Sequence, residues 1–540
     1  MAAFRTAKGA EAALNDSAVL SETDNWAGYQ QMELAERTSG ILLHPTSLPG
    51  PNGIGSLGLA SYRFVDFLAR SQQSLWQILP LSPPGFGNSP YSAFCSVAGN
   101  PLLISLNQLV HAGDLLPEET TGLTELDSSQ VDYDRVTPWK MSRLELAARR
   151  FLQQAAPARR RAFDEFCIRH AGWLNDYALF MSAKEEFDRR AAEEQFWGAS
   201  WNVYWDRDLA HREPEALVRW QAQLGDRPMY YRVWQFYFFE QWTALRQYAN
   251  QRGILLVGDM PIFVALDSTD VWVSPHLFTL DSALREQLVA GVPPDYFSPT
   301  GQRWGNPLYN WKAMEAEGFA WWKRRFQALL ELVDIVRIDH FRGFAACWSI
   351  PATDPTAVHG EWMQVPGEAL FRNLAKKFGQ LPFLAEDLGL ITPDVEALRD
   401  QMGFPGMKVL QVGLEFIDPE NSHLPENHVP NSVVYTGTHD NNTAVGWYSA
   451  LSAAKQDEIS QYLGTPMQDP AWDMMRICYQ SCARAAVIPM QDVLRLGSQA
   501  RMNTPATNAG NWRWRMPPNY FTDHTTDALA ELTTDCDRAP

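Results

Sequence analysis

Eight short apolar runs, spread along a chain of 540 residues and separated by stretches of helical periodicity, constrain the fold more than any other feature. They occupy residues 41–44, 76–81, 254–260, 334–339, 383–386, 407–411, 432–435 and 486–491. Most are rich in leucine or β-branched residues, as strands buried on both faces require. Between them lie amphipathic patterns such as FAWWKRRFQALLELV before Asp334 and TPDVEALRDQM after Glu386. Such alternation predicts a parallel sheet, and eight repeats predict closure into a (β/α)8 TIM barrel, an α/β fold.

The spacing is uneven. The interval 82–253 is too long for one crossover helix, and its segments MSRLELAARRFLQQ, RRRAFDEFCIRHAGWLNDYALFMSAKEEF and YYRVWQFYFFEQWTALRQYANQRG read as amphipathic helices. A large, mostly helical inserted subdomain is therefore expected between the second and third strands. A second excursion, 266–312, is dense in Gly and Pro and reads as a loop insertion at the edge of the barrel where function resides. Residues 1–37 are polar and Ala-rich and read as an N-terminal extension, the barrel as 38–516, and 517–540 as a short acidic C-terminal tail. No C-terminal β-sandwich is expected after the last candidate strand.

Three carboxylates end apolar runs in the second half of the chain: Asp339 after DIVRI, Glu386 after PFLA and Asp440 after SVVYTGTH. The C-terminal edge of barrel strands is where catalytic side chains from different strands converge. An acid after a strand also serves simply as a helix N-cap. Its polar neighbours tilt the reading towards a site, with Arg337, His340 and Arg342 about Asp339, Asp387 after Glu386, and His439, Asn441 and Asn442 about Asp440. Clustered carboxylates suit glycosidic bond chemistry, in which one acts as nucleophile and a second as acid and then base. Asp339 fits the nucleophile, because Arg337, two positions earlier on the strand, shares its face. Glu386 fits the acid, since an apolar approach favours a partly desolvated carboxyl. Asp440 suits holding sugar hydroxyls and the distorted ring. Trp304 in RWGNP and Tyr91 in NSPYS sit among turn-forming residues and offer flat faces to a pyranose. Asp259, ending LLVGD, either binds sugar or caps.

Other functions find little support. Lys and Arg total 45 against 63 Asp and Glu, a net charge of −18, with no basic block to track phosphates, so nucleic acid and anionic membranes are poor partners. No run approaches the roughly 18 apolar residues of a membrane span. The six cysteines are scattered without metal-ligand spacing and read as reduced thiols, so the cytoplasm is the expected compartment. P-loop, Rossmann, HExxH, EF-hand and GxSxG signatures are missing.

Seven segments in order, SPYSAFCSVAGNPLLISL, GDMPIFVALDSTDVW, GVPPDYFSPTGQRWGNPLYNW, VRIDHFRGF, LAEDLG, YTGTHDNNT and SQARMNTPATNAGNWRWR, resemble the 4-α-glucanotransferases called amylomaltases or disproportionating enzymes, glycoside hydrolase family 77. The resemblance runs from SGILLHPTSLPG to GNWRWRM, nearly the whole chain. It implies Asp339 as nucleophile, Glu386 as general acid/base and Asp440 as transition-state stabiliser. It further implies that Ser89, Tyr91, Asp295, Trp304, Arg337, His340, His439 and Asn511 contact sugar in or near the cleavage subsites, with Asp259 close by. The implied substrates are α-1,4-glucans and maltooligosaccharides, the implied reaction is retaining disproportionation without metal or organic cofactor, and a monomer or homodimer is expected. Two rival readings share these residues: an α-1,4-glucan hydrolase on the same barrel, and a glucan-binding protein without catalysis.

Overall fold

The computed structural model describes residues 37–540 apart from Glu125, residues 295–297 and residues 518–520. The N-terminal extension, except Arg37, and Asp295 thus lie outside the described residues. Twelve strands occur among the described residues: β1 (Thr38–Leu42), β2 (Leu75–Gln77), β3 (Leu255–Met260), β4 (Leu288–Val292), β5 (Gln302–Pro307), β6 (Ile335–Ile338), β7 (Ala346–Pro351), β8 (Glu361–Gln364), β9 (Phe383–Ala385), β10 (Gly406–Val409), β11 (Ser432–Tyr435) and β12 (Ala485–Pro489).

Eight of them form one parallel sheet in the order β10-β11-β12-β1-β2-β3-β6-β9, one for each apolar run of the sequence. Their side chains are buried on both faces, which is why the runs are continuous rather than alternating. The two end strands meet across a seam that uses few ladder bonds. Ala385 N donates to Pro405 O at 2.8 Å, and Met407 N donates to the Asp387 carboxylate at 2.6 Å. Arg399 pairs with the other oxygen of Asp387. Asp387, noted in sequence as part of the polar cluster near Glu386, is thus a clasp that closes the barrel.

Between β2 and β3 lies the helical insertion, built chiefly from Tyr133–Gln154, Pro157–Arg169, Ala171–Glu193 and Pro214–Gln223. Helix Arg227–Asn250 joins the insertion to the barrel. It packs on the three longest insertion helices and also on Leu59–Arg70 and Ala320–Leu332 of the outer helical ring. Its indoles fasten both sides: Trp234 Nε1 donates to Leu144 O at 2.9 Å in the insertion, and Trp242 Nε1 donates to Leu332 O at 2.8 Å in the ring. Such buried N–H groups need a partner, and each has one.

Two expectations change. The excursion over 266–312, read as loop, contains β4 and β5, which join β7 and β8 in a four-stranded antiparallel sheet ordered β5-β4-β7-β8. Gly and Pro obscured the strands, yet glycine is required there, because a Cβ on Gly291 would collide with the Gln302 carbonyl oxygen of the paired strand. The residues read as an acidic tail include helix Asp523–Asp535, which buries Leu529 and Leu532 against the body. Among the described residues no strand follows β12, and no helix is long and apolar enough to cross a membrane.

Candidate active site

The three acids stand at the C-terminal edge of the parallel sheet. Asp339 follows β6 directly and donates its N–H to Met260 O at 3.0 Å. Glu386 follows β9 directly and donates its N–H to Ile338 O at 3.0 Å. Each is therefore held at the last rung of the ladder, where strand geometry aims it. Asp440 follows β11 after a short turn that Asn441 braces, its Oδ1 accepting from Thr438 N at 2.8 Å and Thr438 Oγ1 at 2.9 Å.

Arg337 is the buried cation of the site. Its Nη1 donates to Asp259 Oδ1 at 2.7 Å and Oδ2 at 2.8 Å and to Asp339 Oδ1 at 3.0 Å. Against the cost of burial, the carboxylates of Asp259 and Asp339 hold the guanidinium well above its ordinary pKa, so it stays charged. Tyr91 OH donates to Asp259 Oδ2 at 2.7 Å. The Asp259 side chain is 0 % exposed, so it has no surface from which to touch a sugar in this conformation. It anchors Arg337 beneath the cleft.

Glu386 accepts from His340 N at 2.6 Å through Oε2 and from Leu388 N at 2.9 Å through Oε1. To present that N–H, His340 adopts a left-handed backbone with φ of 51°, a conformation that costs a non-glycine residue ~1 kcal/mol or more. Burial, with the opposing help of Arg337 outweighed and the like charge of Asp339 added, pushes the Glu386 carboxyl up to about 8. It therefore keeps its proton at neutral pH. Burial also pulls the His340 imidazole down to about 4, so the ring is neutral beside Asp339.

A cleft of about 560 Å³ opens over Asp339 and His340, walled among others by Phe86, Ser89, Tyr91, Trp304 and Asp440. Trp304, on β5, stands perpendicular to the His340 ring at 4.8 Å and leaves 39 % of its surface open to the cleft. On the far side Tyr91 stacks on His439 at 5.0 Å and 18°, and Trp512 leans on both at 5.7 and 5.9 Å. Asn511 also lines the cleft, but its amide braces its own loop, donating to Thr507 O at 2.9 Å and accepting from Thr504 N at 2.9 Å.

Not every polar neighbour counted in sequence belongs to the site. Arg342 donates to Leu390 O at 2.7 Å and to Thr392 Oγ1 at 3.0 Å and lies 3.9 Å over the Trp362 ring, tying the barrel to β8. Conversely, Trp512, Asn503 and Arg501, all within SQARMNTPATNAGNWRWR, reach the site although their residue types alone give no sign of it. Asn503 Nδ2 donates to Asp440 Oδ1 at 2.6 Å, and Arg501 Nη2 donates to Asp440 O at 2.6 Å.

A parallel barrel whose C-terminal edge gathers carboxylates, a buried arginine and aromatic walls defines a barrel enzyme with carboxylate chemistry. A family model described as 4-alpha-glucanotransferase matches residues 43–522. The 4-alpha-glucanotransferase of Synechocystis is 48% identical over 504 residues, 93% of this chain and 98% of that one. The one of Thermus thermophilus is 48% identical over 513 residues, again 93% of this chain and 99% of that protein. The structure of amylomaltase from Streptococcus agalactiae in complex with acarbose superposes with a TM-score of 0.89 at 37% identity, covering 93% of this chain and all of that one. The chain belongs to the 4-α-glucanotransferase family, glycoside hydrolase family 77, and is an enzyme of that type.

Proposed function

We propose that the enzyme transfers α-1,4-glucan segments between maltooligosaccharides by a retaining double displacement. Asp339 attacks the anomeric carbon while Glu386 gives its proton to the departing O4, leaving a glycosyl ester on Asp339. The O4 hydroxyl of an acceptor glucan then attacks that ester's anomeric carbon, Glu386 takes up its proton, and the α linkage is restored. Asp440 supports the distorted sugar and the charge that develops on it. Ser89, Tyr91, Trp304, His340, His439 and Asn511 border the cleft and bind glucan; Asp295 is assigned to the same role by the resemblance alone.

One observation carries this reading: a carboxylic acid held protonated to about pH 8 stands beside Asp339, which is itself bound to a buried guanidinium. Different environments give two neighbouring acids different tasks. The relative solved with acarbose supports an α-glucan as substrate. Six free thiols suit a reducing compartment such as the cytoplasm.

Incubation with maltotriose tests the proposal. A ladder of longer maltooligosaccharides with free glucose and a constant number of reducing ends, absent in Asp339→Asn, is expected. Rising reducing ends without a ladder would make the enzyme a hydrolase, and no change at all would leave only binding.

A further inference from the structure

Asp440 is the most open of the three acids, with 48% of its side chain exposed, and a carboxylate so placed has no fixed orientation of its own. Two residues from the segment after β12 supply one. Asn503 Nδ2 donates to Asp440 Oδ1 at 2.6 Å. The backbones are joined as well: Asn503 N donates to His439 O at 3.1 Å, and Arg501 bridges the two segments, its Nη2 on Asp440 O at 2.6 Å and its Nε on Asn503 O at 2.7 Å. A single planar guanidinium thus sets the distance between the two chains, and the amide of Asn503 sets the rotation of the carboxylate.

We infer that Asn503, held in register by Arg501, is a positioning residue that orients the Asp440 carboxylate for the transfer reaction. The inference rests on the role of Asp440 in the proposed mechanism. The other charged or titratable groups facing Asp440 are His439, whose Nε2 lies 3.4 Å from Oδ1, Arg501, whose contact is to the backbone carbonyl, and the Tyr91 phenol across the cleft, on which the Asp440 charge acts. Among the described residues, Asn503 is therefore the side chain that donates a hydrogen bond to the carboxylate itself. Because it acts on a group that matters chiefly as the sugar flattens, its loss belongs in kcat more than in KM.

Asn503→Ala and the isosteric Asn503→Asp test this in the full-length enzyme, with maltotriose as substrate and thermal unfolding to verify folding. Losing a hydrogen bond to a charged group lowers kcat ~10- to 100-fold, with KM within about twofold of wild type. Asn503→Asp places a second carboxylate against Oδ1, and two such acids coexist only by sharing a proton. Its kcat relative to wild type therefore climbs as the pH is lowered from about 7 towards 5, when the introduced acid donates as the amide did. A role confined to folding would not produce that recovery. Wild-type kcat in either variant, a loss confined to KM, or a pH-independent ratio would overturn the assignment. If wild type itself gives no ladder, the reading of the activity fails instead, so the two failures are distinguishable.

Discussion

Glu386 shows how much of the chemistry is decided by the surroundings of one residue. Desolvation raises its carboxyl, Asp339 raises it further, and Arg337 pulls the other way without prevailing, leaving it at about 8. We expect kcat/KM to fall as the pH rises through about 8, and Glu386→Gln to lose ~100-fold or more of the transfer rate. In Asp339→Asn the neighbouring negative charge is gone, so Glu386 should titrate at a lower pH than in wild type, a shift readable by carboxyl infrared or carbon NMR titration; an unmoved titration would refute the coupling. Linkage gives a further sign. A carboxyl whose folded pKa is raised from 4.5 contributes stability that is full below the unfolded pKa and is lost as the pH passes about 8. Glu386→Gln should thus unfold with less alkaline sensitivity than wild type. The convergence of Asp339, Glu386 and Asp440 was legible because each ends an apolar run and inherits its direction from a strand. Arg501 and Asn503 were not, since their bonds to Asp440 span 61 and 63 residues and depend on how a loop crosses the barrel mouth.

Among the elements, the parallel strands were legible for the same reason that they are stable. Burial on both faces demands unbroken apolar sequence, which polar turns then punctuate. The antiparallel strands β5 and β8 lacked that mark. QRWGNP of β5 is mostly exposed or half-buried, and EWMQ of β8 has no fully buried residue, so neither carries a run that periodicity could detect. Yet β5 is the element that brings Trp304 over His340. We expect Trp304→Ala, and Gly291→Val through its collision with Gln302 O, to open this wall to water. In both, reducing-end formation relative to maltooligosaccharide transfer should rise several-fold in a coupled sugar assay. An unchanged ratio would mean that β5 takes no part in favouring the acceptor over water.

Taken whole, the molecule is worked at one end of its barrel and fastened at the other. At the N-terminal mouth Arg538 is buried, and its guanidinium donates to Tyr479 O at 2.7 Å, Thr38 O at 3.0 Å, Ser481 O at 2.8 Å and Ala483 O at 3.0 Å. Arg37 adds donors to Tyr479 O, Ser481 O and the Cys536 carbonyl. The same residues tie the start of β1, the approach to β12 and the end of helix Asp523–Asp535. Burial and the like charge of Arg37 pull the Arg538 guanidinium down to about 10, so it remains charged at neutral pH and its burial is offset by carbonyl dipoles rather than by a carboxylate. Nothing in a polar, acidic-looking terminal stretch announces this, because the acceptors are backbone groups and leave no trace in residue type. Arg538→Met would keep much of the side-chain bulk while leaving several buried carbonyls without donors, at a cost of ~3 kcal/mol. The expected outcome is a lower denaturation midpoint by urea titration with kcat on maltotriose unchanged at 25 °C, since about the full length of the barrel separates this clamp from the acids. A fall in kcat without loss of stability would show instead that the closed mouth and the reacting edge are mechanically coupled.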